Sequence, residues 1–214
     1  METIYEDNHL LVVNKPNGQL VQGDATGRET LLDEAKAWLK AKYDKPGNVY
    51  LGLVHRLDRP ASGVVVLART SKAASRLSEE FRSHRPHKTY RAIVSGELSD
   101  SDVWIDHLLR EEFQSRVVSA PAGKKAELKY QRLSTGKDTS LVEIDLITGR
   151  HHQIRVQFAH RGHPILGDQR YGSRHAFVPD AIALHACELQ IKHPTRDEIM
   201  RFTAETPASW KVDQ

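Results

Sequence analysis

Residues 55–68 read His-Arg-Leu-Asp-Arg-Pro-Ala-Ser-Gly-Val-Val-Val-Leu-Ala. The stretch from Gly63 to Ala68 is apolar and rich in β-branched residues without alternation, which predicts a central strand buried on both faces. Pro60 and Gly63 predict a turn directly before that strand. A loop that enters a buried strand has a rigid support, so this stretch predicts both a core element of the fold and a place for functional side chains.

Asp58 lies in this loop between two cationic residues, Arg56 and Arg59. Neighbouring cations favour the ionised form of a carboxyl group, and a supported, ionised carboxylate is a candidate nucleophile. The same pattern also fits a surface aspartate that pairs with an arginine in a tight turn. These residue types alone leave both interpretations open.

Hydrophobic periodicity predicts the other elements. The predicted strands cover residues 9–13, 90–94, 126–133 and 140–147. The predicted helices cover residues 30–42 behind a Thr30 cap, a segment capped by Ser71 with Ala74, Leu77 and Phe81 on its buried side, and residues from Thr148 to His160. The acidic stretch 96–112 has no clear period and is interpreted as a hairpin or an excursion from the core.

The order of these elements favours an α+β fold, because several strands are consecutive and strands do not alternate strictly with helices. We expect a mixed, mostly antiparallel central sheet with flanking helices and loops. The sequence has no internal repeat and no evident linker, so it predicts a single domain over residues 1–214.

The composition excludes several classes of protein. The chain has 214 residues, 39% of them hydrophobic, but no apolar run approaches the roughly 20 residues that a membrane span needs. Cys187 is the only cysteine, which excludes an internal disulfide and a thiolate-rich metal site. We therefore expect a cytoplasmic protein without membrane partners.

Charge is distributed unevenly along the chain. Residues 55–95 contain nine Lys/Arg and three Asp/Glu, and residues 150–175 contain five and one. Residues 96–112 contain six acidic residues and one arginine. A folded chain with one basic face would suit a polyanion such as RNA, although a charge run considered alone fits a solvated surface better.

Several ordered segments resemble the motifs of the RluA-type pseudouridine synthases, a family of RNA-modifying enzymes. The matching segments are Asn14–Gly18, His55–Asp58, Lys88–Ala92, Thr148–Val156, Gly162–Asp168 with Tyr171-Gly172, Leu184–Ala186 and His193-Pro194. The resemblance extends from about residue 4 to about residue 203. Several matches in the same order along the chain are far more specific than any single match. The chain departs from the commonest family form at Pro60-Ala61, where a threonine usually precedes Ser-Gly.

The resemblance implies a pseudouridine synthase-like catalytic domain without the S4-type RNA-binding domain that many relatives carry. It implies a monomer that isomerises uridines in ribosomal or transfer RNA to pseudouridine, with no cofactor and no metal. Asp58 would be the catalytic carboxylate, Arg155 would form an ion pair with it, and Tyr90 would stack on the uracil. Because a paired uridine must be flipped out, Arg56 is the candidate to brace the vacated position.

Further residues are expected to contact RNA or complete the site. They are His55, Arg59, Lys88, Arg150, His151, Gln153, Ile154 and Leu184. On the predicted helix, His151 and Arg155 would share one face, while Ile154 and Phe158 would share another. Residue type alone favours a core position for Tyr90, and the resemblance changes that interpretation. Leu184 could complete the wall of the site, although an apolar residue before His185 is more often part of the core.

Two other functions compete with this hypothesis. Twelve histidines permit a metal-dependent hydrolase, although the sequence has no His-Glu-x-x-His motif. A non-catalytic RNA-binding protein of the same fold is the second alternative. The joint presence of Asp58, Tyr90 and Arg155 favours an enzyme, because a protein that only binds RNA has no chemical need for all three.

Overall fold

The computed structural model describes residues 1–23, 27–208 and 210. The elements follow in the order β1 (Glu2–Glu6), β2 (Leu10–Lys15), α1 (Leu31–Lys42), β3 (Gly52–Leu53), β4 (Ser62–Ala68), α2 (Ser71–Arg82), β5 (His87–Ser95), β6 (Ser101–Arg110), β7 (Ser115–Val118), β8 (Lys124–Thr135), β9 (Thr139–Leu146), α3 (Gln153–His160), a 3₁₀ turn (Gln169–Tyr171), β10 (Leu184–Lys192) and β11 (Ile199–Thr203). Backbone contacts group the chain into two units. Of the described residues, the first unit contains 1–23, 27–86 and 188–204, and the second contains 87–187, 205–208 and 210.

The first unit is built on the strand order β1-β2-β4-β10, with β3 paired to β4 and β11 paired to β10. Every residue of β4 is buried, as the apolar run after Gly63 predicts. Its antiparallel pairing with β2 places Val12 opposite Val66 and Lys15 opposite Gly63. Because Lys15 is thereby fixed beside the start of β4, the end of β2 lies next to the loop that carries Asp58.

The helices of the first unit pack through apolar side chains, only some of which the periodicity predicts, because Ala74 and Phe81 on α2 are only half-buried. Leu31, Ala35 and Leu39 are buried on α1, and Thr30 forms a capping box with Asp33. On α2, Leu77 is fully buried against the apolar side chains of β2 and β4. The predicted cap of α2 was wrong by one residue, because Thr70 rather than Ser71 accepts the backbone N–H of Ala73.

Asp7 ties the turn between β1 and β2 to the segment that follows β10. Its Oδ1 accepts the backbone N–H groups of His9 and Leu10, both at 2.7 Å, and its Oδ2 lies 2.9 Å from Nε2 of the buried His193. Because Nδ1 of His193 accepts the backbone N–H of Arg196, Nε2 carries the proton and donates to Asp7. The pair therefore joins the two sequence ends of the first unit.

The second unit follows the strand order β10-β5-β9-β8-β6-β7. The pairings β5–β9, β9–β8, β8–β6 and β6–β7 are antiparallel. Trp104 on β6, Tyr130 on β8 and Phe158 on α3 form a buried aromatic cluster with ring centroids 4.6–5.8 Å apart. This cluster packs α3 against the sheet.

Strands and helices together confirm the predicted α+β class. The acidic stretch 96–112 contributes β6 to a hairpin, in agreement with the sequence interpretation. The helix predicted from Thr148 to His160 begins only at Gln153, so that prediction was wrong at its N-terminal end. Among the described residues, no helix has both the length and the apolar character of a membrane span.

Candidate active site

Asp58 begins a tight turn directly before β4. The backbone N–H of Ala61 donates to the Asp58 carbonyl oxygen at 3.1 Å, which closes the turn. Gly63 follows with a φ of 116°, a positive value that glycine adopts without steric cost. The Asp58 side chain is half-buried at this turn, so the carboxylate combines a fixed backbone with access from outside.

Residues 15–18 hold this turn through its main chain. The carbonyl oxygen of Arg59 accepts the backbone N–H of Gly18 at 2.9 Å and Nζ of Lys15 at 3.2 Å. The carbonyl oxygen of Pro60 accepts Nδ2 of Asn17 at 2.8 Å. Three donors from one short segment therefore fix two consecutive carbonyl groups next to Asp58.

Lys15 is one of the largest fully buried side chains of the described residues. Its Nζ also donates to the carbonyl oxygens of Pro16 and Gln19, both at 2.9 Å, so all three ammonium hydrogens have acceptors. Burial lowers the pKa of Lys15 to about 7, while the negative charge of Asp58 opposes the shift and the positive charge of Arg59 adds to it.

The other predicted residues of this loop have different surroundings. His55 accepts the backbone N–H of Val66 through Nε2 at 3.0 Å, and its ring stacks on Phe81 with a centroid distance of 4.5 Å. These contacts give His55 a packing function within the first unit. Arg56 is exposed and Arg59 is half-buried, so both present charge next to Asp58.

Arg155, in the second unit, forms a buried bidentate ion pair with Asp168. Its Nε lies 2.7 Å from Oδ2, its Nη2 lies 2.8 Å from Oδ1, and the two side chains are 5% and 1% exposed. The guanidinium carbon lies 5.1 Å from the ring centroid of Tyr171. Sequence reasoning did not predict this partner, and the expected ion pair of Arg155 with Asp58 stays a prediction.

Tyr171 connects Arg155 to the turn end of the β6–β7 hairpin. Its hydroxyl accepts the backbone N–H of Ser115 at 2.8 Å and lies 2.9 Å from Nδ1 of His152. The Ser115 hydroxyl donates to the carbonyl oxygen of His151 at 2.8 Å. The segment before α3 is therefore fixed by both the hairpin and the 3₁₀ turn.

His151 lies outside α3, so the prediction that it shares a helix face with Arg155 was wrong. His152 has a φ of 53°, in the left-handed region, and a helix cannot continue through that conformation. The side chain of Gln153 accepts the Thr148 hydroxyl at 2.7 Å and the backbone N–H of Arg150 at 3.0 Å. These bonds stabilise a compact turn where the periodicity predicted helix.

Gln153 is buried and engaged within the second unit, because its Nε2 also donates to the carbonyl oxygen of Glu127 at 3.1 Å. Ile154 and Leu184 are 4% and 5% exposed. Arg150 is half-buried, and its Nε donates to the carbonyl oxygen of Lys125 at 2.9 Å. Arg150 therefore offers more contact surface than Gln153, Ile154 or Leu184.

Lys88 and Tyr90 are two residues apart on β5 and share one side of the strand. Both are half-buried. Burial, together with the positive charge of Arg150, lowers the pKa of Lys88 to about 8. A Cβ atom at Gly149 would lie 3.7 Å from Lys88 Nζ, so the segment Thr148–Val156 and β5 meet here. The structure thus brings Lys88, Gly149 and Arg150 together.

Sequence reasoning missed Lys15, Asn17, Asp168 and Tyr171 as contributors, although all four lie in segments that carried the resemblance. A charged residue at the end of the apolar strand β2 was the available signal for Lys15. Within residues 1–23, 27–208 and 210, no three His, Cys, Asp or Glu side chains are grouped as metal ligands would be.

Comparison with known proteins gives consistent matches. A family model described as RNA pseudouridylate synthase matches residues 9–160. Ribosomal large subunit pseudouridine synthase C of Vibrio parahaemolyticus is 36% identical over 208 residues, which are 94% of this chain and 64% of that protein. This chain therefore spans just under two thirds of that relative's length. Dual-specificity RNA pseudouridine synthase RluA of Yersinia pestis is 38% identical over 211 residues, which are 96% of this chain and 98% of that protein.

Among solved structures, human RNA pseudouridylate synthase domain containing 4 superposes with a TM-score of 0.80 at 25% identity. The superposition covers 97% of this chain and 89% of the human one. This likeness confirms the pseudouridine synthase fold that the sequence predicted. Because the family model covers most of the sequence and relatives match along nearly all of it, the chain belongs to the RNA pseudouridylate synthase family.

Proposed function

We propose that the chain is an RNA pseudouridine synthase that isomerises uridine in a folded RNA, with Asp58 as its catalytic carboxylate. The observation that supports this proposal best is the fixed turn at Asp58. Residues 15–18 hold the carbonyl groups of Arg59 and Pro60 through three hydrogen bonds. A surface aspartate in an ordinary turn needs no such support, whereas a reacting carboxylate gains from a fixed position.

The reaction requires a break of the N1–C1′ bond of uridine and formation of a C5–C1′ bond. The proton on C5 is lost and N1 gains a proton, so neither atoms nor electrons are added overall. We therefore propose a reaction that needs no cofactor. The chemistry requires an ionised carboxylate against the nucleotide, and Asp58 is proposed to supply it.

Arg155 is proposed as the cation that serves the reacting carboxylate, as the family resemblance implies. Its bidentate pairing with Asp168 fixes the plane of the guanidinium group. The ring of Tyr171 covers it at 5.1 Å, which further restricts its motion. A cation held in this way offers charge in a constant direction without reorganisation during the reaction.

Tyr90 and Lys88 are proposed to contact the target nucleotide. An aromatic ring that is half-buried on β5 is suited to stack on uracil, and the partly buried Lys88 and Arg150 are suited to a phosphate. Arg56 is exposed and is proposed to fill the position that the flipped uridine leaves. His55, Gln153, Ile154 and Leu184 would support this surface from within, and Arg59 and His151 would contact it at its edge.

The proposed target is ribosomal or transfer RNA. Relatives that match most of the chain are named as ribosomal, transfer RNA or dual-specificity pseudouridine synthases. We propose that residues 1–214 act as one catalytic domain, because the family model extends across parts of both units. A monomer acting in the cytoplasm is the corresponding proposal for its state in the cell.

Release of tritium from RNA labelled at uridine C5 tests the proposed function. The substrate is total RNA from a strain that lacks the gene, and the variants are Asp58→Asn and Asp138→Asn. Asp138 is an exposed aspartate in the turn between β8 and β9 and serves as the matched control. Wild type and Asp138→Asn should release tritium, while Asp58→Asn should be slower by on the order of 10³-fold or more.

Retention of tritium release by Asp58→Asn would overturn the proposed role of this carboxylate. A wild-type protein that binds RNA and releases no tritium would instead favour the non-catalytic RNA-binding alternative. Metal analysis of the active protein addresses the hydrolase alternative, since stoichiometric zinc would contradict a cofactor-free reaction.

A further inference from the structure

We propose that the tip of the β6–β7 hairpin, residues 110–116, is a second RNA-binding element in which Phe113 stacks on an unpaired base. This inference rests on the proposed function, because it assumes that RNA is the substrate. It adds an RNA contact outside the segments that carry the family resemblance, and it gives the hairpin a part in the choice of target RNA. The hairpin, the segment Thr148–Val156 and the 3₁₀ turn all belong to the second unit.

Phe113 is unusually exposed for its size. Its exposed fraction is 66%, compared with 50% for Tyr50 and 46% for Tyr43, the other strongly exposed aromatic residues of the described chain. The phenylalanine side chain has no polar group, so its exposed ring forms no hydrogen bond with water. Single exposed apolar residues are common, and the exposure needs a second observation to carry meaning.

That second observation is the rigid support of the tip. Arg170 Nη1 donates to the Phe113 carbonyl oxygen at 2.6 Å, and the backbone N–H of Glu111 donates to the Gln114 carbonyl oxygen at 2.8 Å. Ser115, which is 3% exposed, ends the turn with its N–H on the Tyr171 hydroxyl. An aromatic ring on a backbone held from both sides loses little conformational entropy when it binds.

The support comes from the residues that hold Arg155. Tyr171 bonds Ser115 through its hydroxyl and lies over the Arg155 guanidinium with its ring. Arg170 precedes Tyr171 in the same 3₁₀ turn, which begins directly after Asp168. The position of Phe113 is therefore fixed relative to Arg155 through one short segment. An RNA that reaches Arg155 meets the tip at a constant distance.

The charge around the tip suits a polyanion. Cationic residues occupy both flanks of the hairpin end and the strand beside it, and acidic residues are fewer. The cations are Arg110, Arg116, Arg170, Lys124 and Lys125, and the acids are Glu111, Glu112 and Glu127. Arg116 Nε neutralises Glu111 at 2.7 Å. A base on Phe113 would thus have its phosphates among arginine and lysine side chains, the combination that single-stranded RNA recognition uses.

Equilibrium binding to a fluorescent 20-nucleotide oligouridine tests the inference, with every variant carrying Asp58→Asn so that no turnover occurs. Phe113→Ala should raise Kd by about tenfold, in keeping with loss of one stacked base. Phe113→Tyr should bind within about twofold of the parent, because its ring also stacks. Tyr50→Ala removes another exposed aromatic residue and should leave Kd unchanged.

The salt dependence of Kd separates stacking from charge. Phe113→Ala should leave the slope of log Kd against log salt unchanged, whereas Arg110→Gln should reduce it by about one. Equal binding by Phe113→Ala and the parent would overturn the inference, as would equal losses in Phe113→Ala and Phe113→Tyr. Binding is independent of tritium release, so failure of the inference and failure of the proposed function give different results.

Discussion

Lys15 and Arg59 are 44 residues apart in the sequence, yet Lys15 Nζ donates to the Arg59 carbonyl oxygen at 3.2 Å. Because Arg59 directly follows Asp58, the buried lysine controls the main chain of the proposed catalytic turn. The negative charge of the Asp58 carboxylate raises the pKa of Lys15 against the larger, lowering effect of burial. Lys15 thus serves as a positioning residue.

Lys15→Met tests this relationship. Methionine fills a similar volume, but it leaves the carbonyl groups of Pro16 and Gln19 without a donor in a buried place. We expect a loss of about 3 kcal/mol in the free energy of unfolding. We also expect kcat for tritium release to fall by on the order of 10²-fold with KM little changed, because the turn moves while RNA contacts remain. Lys40→Met, at an exposed position of α1, should match wild type in urea denaturation and in kinetics.

The depressed pKa of Lys15 predicts a pH dependence of stability. The folded chain loses this proton near pH 7, while an unfolded lysine keeps it up to about 10.5, so the unfolded state binds more protons between these values. The free energy of unfolding should therefore rise with pH in this window, by about 1 kcal/mol per pH unit. Lys88 also contributes, since burial lowers its pKa to about 8. Urea denaturation of wild type and Lys15→Met from pH 7 to pH 9.5 isolates the Lys15 part, and parallel curves for the two proteins would contradict it.

Arg155 and Asp168 should be energetically coupled. Asp168→Asn leaves a buried guanidinium group without its carboxylate and should destabilise the chain by about 3–5 kcal/mol. The double variant Arg155→Met/Asp168→Leu should be less destabilised than the sum of its single variants, by about 2 kcal/mol. Thermal and urea unfolding of wild type, Arg155→Met, Asp168→Leu and the double variant measures the coupling. Strict additivity of the two single effects would show that the two side chains contribute to stability independently.

Asp7 should govern stability in acid. Burial raises its pKa, but the N–H groups of His9 and Leu10 and the side chains of His193 and Tyr5 lower it more strongly, to about 2. Its ordinary value is 3.8, so the unfolded state takes up the proton first as pH falls. The contribution of about 2 kcal/mol is complete above pH 4 and is lost toward pH 2. Asp7→Asn should be less stable at pH 7 and lack this acid-dependent part, which denaturation from pH 7 to pH 2.5 can measure.

The sequence predicted the elements whose burial follows a simple period. The apolar run after Gly63 indicated β4, and Leu32, Ala35 and Leu39 at helical spacing indicated α1, although Leu31 rather than Leu32 is the buried leucine at its start. Such patterns indicate which face of an element is buried, and this information is sufficient to predict that the element forms. The order of the motifs was equally informative about the family.

Hydrophobic periodicity gave a wrong prediction where side-chain hydrogen bonds take the place of the backbone hydrogen bonds of a helix. The residues from Thr148 to His152 read as helix, but the Gln153 side chain accepts from both Thr148 and Arg150 and stabilises a turn instead. A sequence gives the donors and acceptors of such a network without their geometry. The pairing of Arg155 with Asp168 was missed for a similar reason, because thirteen residues and a turn separate the two.

The hydrogen bonds that hold the Asp58 turn end on carbonyl groups of Arg59 and Pro60, and every amino acid has a carbonyl group. The side chains at these two positions are consequently released from the task of keeping the turn in shape. Pro60, at the point where the chain departs from the commonest family form, illustrates this freedom. Substrate preference can therefore evolve at position 60, beside the carboxylate, while the carboxylate itself stays in place.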